Sequence, residues 1–158
     1  MLNRALRRFL RLLWRLLWRG ALGFVVLSVA LVLLFRFVPP PGSMVMVERK
    51  VQSWINSEPI DIQRQWRGWE QLSSNAKLAV ISAEDQRFPQ HRGFDFVEMR
   101  RAWEASRDGE RLRGASTLSQ QTAKNVFLWS GRSWIRKGLE AWFTLLIETL
   151  WGKQRILE

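Results

Sequence analysis

Glu84-Asp85-Gln86-Arg87-Phe88-Pro89-Gln90-His91-Arg92-Gly93-Phe94-Asp95 is the stretch on which the reading of this chain turns. It brings two carboxylates, the chain's one histidine and a glycine turn together within twelve residues, and such a cluster can hold and deprotonate a hydroxyl. A helix C-terminus with solvated charges and a structural histidine has the same spacing, so both readings stand at this point.

Upstream, Ser73 or Ser74 can cap a helix through Ala76, Leu78, Ala79, Val80 and Ile81. Its apolar spacing is expected to bury one side and to deliver Glu84 and Asp85 at its end. Downstream, Asp95 with Glu98 has the form of an N-terminal cap for a second helix. There Phe96, Met99 and Trp103 share a face, read as core, until Gly109 ends the helix.

A basic loop, Arg111-Leu112-Arg113-Gly114-Ala115, then leads into Ser116-Thr117-Leu118-Ser119-Gln120-Gln121. Thr117 and Gln120 have capping-box spacing, so a third helix is expected to start there. A last helix begins after Ser133, with Ile135, Leu139, Trp142, Phe143, Leu146 and Leu150 on one broad stripe. Arg136, Glu140, Thr144 and Glu148 lie opposite, so Glu140 is expected to face away from the core. As an exposed pair at i,i+4, Arg136 and Glu140 would contribute only ~0.2–0.5 kcal/mol.

Helical periods dominate residues 73–152, with no internal repeat, and predict a mainly α fold. Residues 44–72 open with Met44-Val45-Met46-Val47, read as a short strand, and continue through polar segments around Trp54, Trp66 and Trp69 that suggest no chemistry.

The N-terminal part is of a different kind. Residues 20–35 are an uncharged run of 16, spanning ~24 Å as a helix, slightly short of the ~30 Å hydrocarbon core. Arg36 can snorkel while Phe37 and Val38 complete the span, and Trp14 and Trp18 sit where interfacial aromatics belong. Six arginines precede the run, so the N-terminus is expected in the cytoplasm and everything after Pro39 outside. Residues 38–43 offer no small-x-small cleavage site, which favours a retained anchor over a signal peptide. Pro39-Pro40-Pro41-Gly42-Ser43 makes a stiff exit. The expected organisation is a basic tail over residues 1–19, a transmembrane anchor over 20–38, a linker and membrane-proximal region over 39–72 and a catalytic domain over 73–158.

The formal charge of +11 owes seven positive charges to arginines within residues 1–38, where there is no acid. The rest carries 18 basic and 14 acidic residues and no zinc-finger, basic-zipper or RNP pattern, so nucleic acid is not the expected partner. An anionic substrate or a lipid surface suits that charge. The absence of cysteine excludes disulfides and thiolate chemistry and is neutral on compartment.

The segment at 84–95 resembles the first motif of the peptidoglycan glycosyltransferases of glycosyltransferase family fifty-one, Glu-Asp-x-x-Phe-x-x-His-x-Gly-x-Asp, at every defined position. Gly114-Ala115-Ser116-Thr117-Leu118-Ser119-Gln120-Gln121-Thr122-Ala123-Lys124-Asn125 resembles the second motif, and Arg136-Lys137-Gly138-Leu139-Glu140 the third. A fourth, Lys-x-x-Ile-Leu-Glu and onward, starts at Lys153 and runs to Glu158. The family's later motifs lie beyond the chain, so the domain is expected to be incomplete at its C-terminus. The short tail and Ala115 resemble the monofunctional biosynthetic members.

This resemblance implies a lysozyme-like α-helical domain with a small membrane-proximal jaw, in the bacterial inner membrane with the domain periplasmic. It implies polymerisation of lipid II into β-1,4-linked glycan with release of undecaprenyl pyrophosphate. Glu84 would be the base that activates the acceptor hydroxyl, and Glu140 the second glutamate, orienting the donor or sharing a divalent cation, Mg²⁺ or Mn²⁺, with its pyrophosphate. Lys124 and Arg132, ahead of Arg136 and Lys137, would stabilise the departing pyrophosphate. Asp85, Ser116, Thr117, Gln120, Gln121 and Asn125 complete the expected substrate-binding set, with capping an equal duty for Thr117.

No nucleotide or organic cofactor is implied; lipid II, the lipid-linked glycan, the membrane and other cell-wall or division proteins are the expected partners. His91 is read as structural. Trp129, Trp134, Trp142 and Trp151, with Phe127 and Phe143, are read as core, with the lipid surface as the alternative. Two rivals remain at this point: a lytic enzyme with Glu84 as general acid, and a non-catalytic membrane-anchored scaffold.

Overall fold

The computed structural model describes residues 4–107 and 116–158, with the side chains of residues 6–107 and 116–158. Gly109 and the loop from Arg111 to Ala115 lie outside the described residues. Among those described, the structure is all helix and no strand: α1 (Arg4–Phe37), α2 (Met44–Ile55), α3 (Ser74–Glu84), α4 (Phe96–Arg107), α5 (Leu118–Phe127), α6 (Trp134–Leu150) and α7 (Lys153–Leu157). One long apolar helix ahead of a helical domain is the expected arrangement, and it fits a lysozyme-like domain. Over Leu6–Phe37, α1 is long and apolar enough to cross a membrane by length and composition.

Helix starts follow local chemistry. Ser43, Ser73, Thr117 and Ser133 each sit in extended backbone and accept a hydrogen bond from the amide three residues on, satisfying one orphan donor of the first turn. Asp95 does the same for α4, its Oδ1 accepting from the amides of Val97 and Glu98 at 3.0 Å each.

The core is the seam between α5 and α6. Phe127 stacks on Phe143 with ring centroids 4.6 Å apart and planes 4° from parallel, contributing about 0.5–1.5 kcal/mol beyond area burial. Ala123, Leu128, Ile147, Trp151 and Ile156 close around that pair. The second half of α1 docks on this seam: Val32 is fully buried, Phe24 meets Trp142 and Phe143, and Phe35 meets Phe127. The indole N–H groups of Trp142 and Trp151 donate to Ser28 Oγ (3.1 Å) and to the Val32 carbonyl (2.7 Å). The Arg155 guanidinium donates to the carbonyls of Phe35 (2.8 and 3.0 Å) and Val38 (3.2 Å), so a side chain of α7 satisfies carbonyls that α1 leaves unpaired at its end.

Four local expectations are corrected. Residues 44–47 are the first turn of α2, not a strand, because the Ser43 cap starts a helix whose Met44, Val47 and Val51 recur at helical spacing. No residue of α3 is buried: Leu78 is 63 % and Val80 41 % exposed, and Ile81 alone of its apolar residues reaches the core cluster. Phe96, Met99 and Trp103 of α4 are likewise exposed rather than core, since no described element packs over them.

The fourth correction concerns α6. Its buried face carries Glu140, Phe143, Thr144 and Ile147, while Ile135, on the expected stripe, is 76 % exposed. Gly93 of the 85–95 loop packs on Thr144 and Glu148, and Ser119 of α5 donates to Glu148, so the polar arc of α6 is covered, while part of the apolar stripe turns to α1 instead. The aromatic set divides accordingly: Phe127, Phe143 and Trp151 are core, Trp142 is half-buried against α1, and Trp129 and Trp134 are exposed.

Candidate active site

Glu84 ends α3 and its side chain is exposed. Its Oε2 accepts a hydrogen bond of 2.9 Å from the Gln121 side-chain amide, so the first turn of α5 holds the carboxylate. The next residue, Asp85, turns inward in extended backbone and is buried. Its carboxylate accepts from the Leu118 amide at 3.0 Å and sits 2.9 Å from His91 Nε2. The amide that an anion would seek at the α5 N-terminus is therefore engaged by the chain itself. With Glu84 and Asp85 adjacent, fixing the second fixes the first against α5.

The remainder of the 85–95 loop is tightly tied. Arg87 Nε donates to Asp95 Oδ2 at 2.9 Å. Burial pushes the Asp95 carboxyl up, but the Glu98 amide, the Arg87 guanidinium, the Val97 amide and His91 outweigh it and hold the group below the usual carboxylate range. Phe88, 2 % exposed, meets the His91 ring edge-on, and Lys153 Nζ lies 4.3 Å from the Phe88 ring centroid. Gly93 adopts φ +88, and a Cβ there would lie 2.8 Å from Thr144 Cγ2 and 3.0 Å from Glu148 Cγ. That close approach to α6 and the left-handed backbone both require glycine.

Thr117 and Gln120 form a complete capping box: Gln120 N donates to Thr117 Oγ1, and Thr117 N to Gln120 Oε1 at 3.1 Å. The Thr117 hydroxyl donates onward to the Gly93 carbonyl at 2.6 Å. Both side chains are buried and serve the joint between the two motifs. Gln121, Lys124 and Asn125 share one face of α5 at i, i+3 and i+4. Ser116 and Asn125 are exposed, Lys124 is half-buried, and Arg132 is exposed in the turn between α5 and α6. Among the described residues, neither the Lys124 ammonium nor the Arg132 guanidinium has a hydrogen-bond or ion-pair partner.

Glu140 is 3 % exposed, and its oxygens meet Arg136 Nη1 at 2.8 Å and Lys137 Nζ at 2.5 Å. Glu140 and Arg136 are thus a buried ion pair rather than a surface one, with the exposed Lys137 closing it from the solvent side. Removing Glu140 would leave the Arg136 guanidinium buried without its counter-charge, at a cost of about 3–5 kcal/mol. No hydrogen bond or ion pair joins Glu84 to Glu140 among the described residues. A divalent cation does not fit on Glu140 as arranged, because a cationic side chain meets each oxygen. Asp85, His91 and Asp95 do place ligand-type atoms within 4.8 Å of one another, but Asp85 already serves the Leu118 amide and His91, and Asp95 the amides of Val97 and Glu98 and the Arg87 guanidinium.

A relay of Ser119, Glu148 and Lys153 was not singled out by the sequence reading. The Ser119 hydroxyl donates to Glu148 Oε1, which also accepts from Lys153 Nζ at 2.7 Å. Lys153 opening the fourth motif was the one signal for it. Glu48 of α2, also missed, accepts from the Ser130 amide and hydroxyl at 2.9 and 2.8 Å, which hold its carboxyl below the usual range.

A family model described as "Transglycosylase" matches residues 50–158. A "Biosynthetic peptidoglycan transglycosylase" of Chromohalobacter salexigens is 69 % identical over 137 residues, covering 87 % of this chain and 58 % of that relative. A protein of the same description from Pseudomonas aeruginosa is 66 % identical over 137 residues, covering 87 % of this chain and 59 % of its own length. Another from Pseudomonas fluorescens is 58 % identical over all 158 residues and 62 % of its own length. The chain thus spans about six tenths of the curated relatives it matches.

Proposed function

This chain belongs to the transglycosylase family, and from that membership we propose that the protein is a monofunctional biosynthetic peptidoglycan glycosyltransferase that polymerises lipid II. It is anchored by α1 in the bacterial inner membrane, with the arginine-rich end in the cytoplasm and the helical domain in the periplasm. The observation that carries the reading is the exposed Glu84, held by Gln121 on a frame that Asp85 locks, with the unpaired Lys124 on the same face of α5 as Gln121.

The acceptor 4-hydroxyl attacks the anomeric carbon of the glycan whose reducing end is linked to undecaprenyl pyrophosphate. A carbon–oxygen bond forms on the face opposite the α-linked pyrophosphate, the bond to the pyrophosphate breaks, and the hydroxyl proton passes to Glu84. One displacement gives the β-1,4 link without a covalent enzyme intermediate. Gln121 orients the carboxylate by donating to one oxygen and leaving the other to the hydroxyl.

The leaving pyrophosphate gains charge in the transition state. Lys124 and Arg132 carry free positive charge to meet it, whereas Arg136 and Lys137 already face Glu140. Glu140 acts by fixing those two cations, and no step needs a metal ion upon it. Cationic groups of this kind suit a pyrophosphate leaving group better than attack by water on a finished glycan.

The test is incubation of labelled lipid II with the chain and with a form extended by the C-terminal part of the Pseudomonas aeruginosa relative. Long, lysozyme-sensitive glycan with release of lipid pyrophosphate is the expected product. Failure of the extended form to make glycan, while it degrades preformed strands, would replace this reading with the lytic one.

A further inference from the structure

The first half of α1 has no role in the reaction above and has an unusual surface. Arg8, Arg11, Arg15 and Arg19 succeed one another by three or four residues, with Arg7 beside them, and so occupy about a third of the helix circumference. Opposite lie Phe9, Leu13, Leu16 and Leu17, between 42 % and 61 % exposed. The second half of α1, from Phe24 onward, is the part that packs on α6. No acidic residue occurs before Glu48, so the segment carries a strong net positive charge.

Length decides where this segment can lie. At ~1.5 Å per residue the 34 residues of α1 reach ~51 Å, beyond the ~30 Å hydrocarbon core and the ~40–45 Å of a whole bilayer. The arginine-bearing half therefore falls outside the hydrocarbon, where an apolar face of this width is unfavourable in water. Both faces are satisfied together only in the headgroup layer, with leucines toward the acyl chains and guanidinium groups among phosphates.

We propose that residues 4–19 form an interfacial helix that recognises anionic phospholipid headgroups of the cytoplasmic leaflet through Arg7, Arg8, Arg11, Arg15 and Arg19. α1 is one continuous helix through Gly20 and Gly23 in this structure, and the interfacial placement requires it to bend at a bilayer, for which these two glycines are the weakest helix formers between the arginine arc and the spanning part. Planar guanidinium groups match phosphate oxygens in pairs, and each basic residue at such a surface raises the preference for anionic lipid about fivefold. Trp14 and Trp18, 68 % and 62 % exposed, lie at the Arg7 side of the arginine arc, as aromatics at headgroup depth do.

The chain has no cysteine, so the variants Leu13→Cys and Arg15→Cys each carry one spin label in the otherwise intact chain. In vesicles of mixed phosphatidylglycerol and phosphatidylcholine, the label at 13 should relax with oxygen and the label at 15 with a water-soluble nickel chelate. Pure phosphatidylcholine, or Gln in place of Arg7, Arg8, Arg11 and Arg19, should shift the label at 13 toward the nickel reagent by about tenfold or more. Both labels in water, or both in hydrocarbon, would overturn the interfacial placement. A pattern indifferent to lipid charge and to the Gln substitutions would overturn recognition of anionic lipid.

Discussion

The Asp85 carboxylate accepts the Leu118 backbone amide at 3.0 Å, joining the end of α3 to the start of α5 across 33 residues of sequence. His91, 2.9 Å away, engages the same carboxylate. Both side chains are buried, so Asp85→Ala leaves a histidine nitrogen and a helix-end amide unpaired at once. A loss of about 3 kcal/mol or more is expected. It reads as a lower unfolding midpoint in detergent, and an unchanged midpoint would mean the joint carries no load.

Gly93→Ala should destabilise through the backbone and through contact. The residue sits at φ +88 and its new Cβ would come 2.8 Å from Thr144 Cγ2, on a helix that cannot easily yield. Left-handed backbone costs about 1–2 kcal/mol for an alanine, and overpacking a further 1–3 kcal/mol. Shortening Thr144 to serine in the same chain should recover part of the loss in thermal unfolding, because it removes the clashing methyl.

Acid sensitivity should trace partly to Asp95. Its folded pKa lies below the ordinary value, so its contribution to stability is fully present above the unfolded value near 4 and is lost as pH falls toward the folded one. Asp95→Asn should therefore unfold earlier than the parent at pH 7, with the gap narrowing below pH 4. A constant gap across that range would refute the linkage.

Lys124 and Arg132 should separate from Arg136 in their effects. Neither of the first two has a hydrogen-bond or ion-pair partner among the described residues, so Lys124→Ala and Arg132→Ala should retain the unfolding midpoint while kcat falls about a hundredfold or more. Arg136→Ala breaks the buried ion pair with Glu140 and should lower the midpoint as well as the rate.

Local chemistry was legible in the sequence wherever a side chain acts on its own neighbourhood. The Ser73, Asp95, Thr117 and Ser133 helix starts depend on atoms two or three residues apart and appear as anticipated. The 84–95 cluster and the pairing of Thr117 with Gln120 were legible for the same reason.

Which way each helix faces was not legible, because partners distant in sequence decide it. Apolarity alone turned the polar arc of α6 outward, yet Thr144 packs on Gly93 and Glu148 is held by Ser119 of α5, while the buried Glu140 on the same face has its charge met by Arg136 and Lys137 of its own helix. The hydrogen bond between Glu84 and Gln121 spans 37 residues and has no local signature at all.

Glu84, as the base, is the residue on which glycan bond formation depends most directly. The decisive measurement is the single-turnover rate of glycan bond formation from labelled lipid II by the C-terminally extended protein, comparing the parent with Glu84→Gln. Because Glu84 is exposed, the substitution should leave the unfolding midpoint within about 0.5 kcal/mol of the parent's stability while the rate falls at least a hundredfold. A folded Glu84→Gln protein that forms glycan at the parental rate would contradict the role of Glu84 as the base.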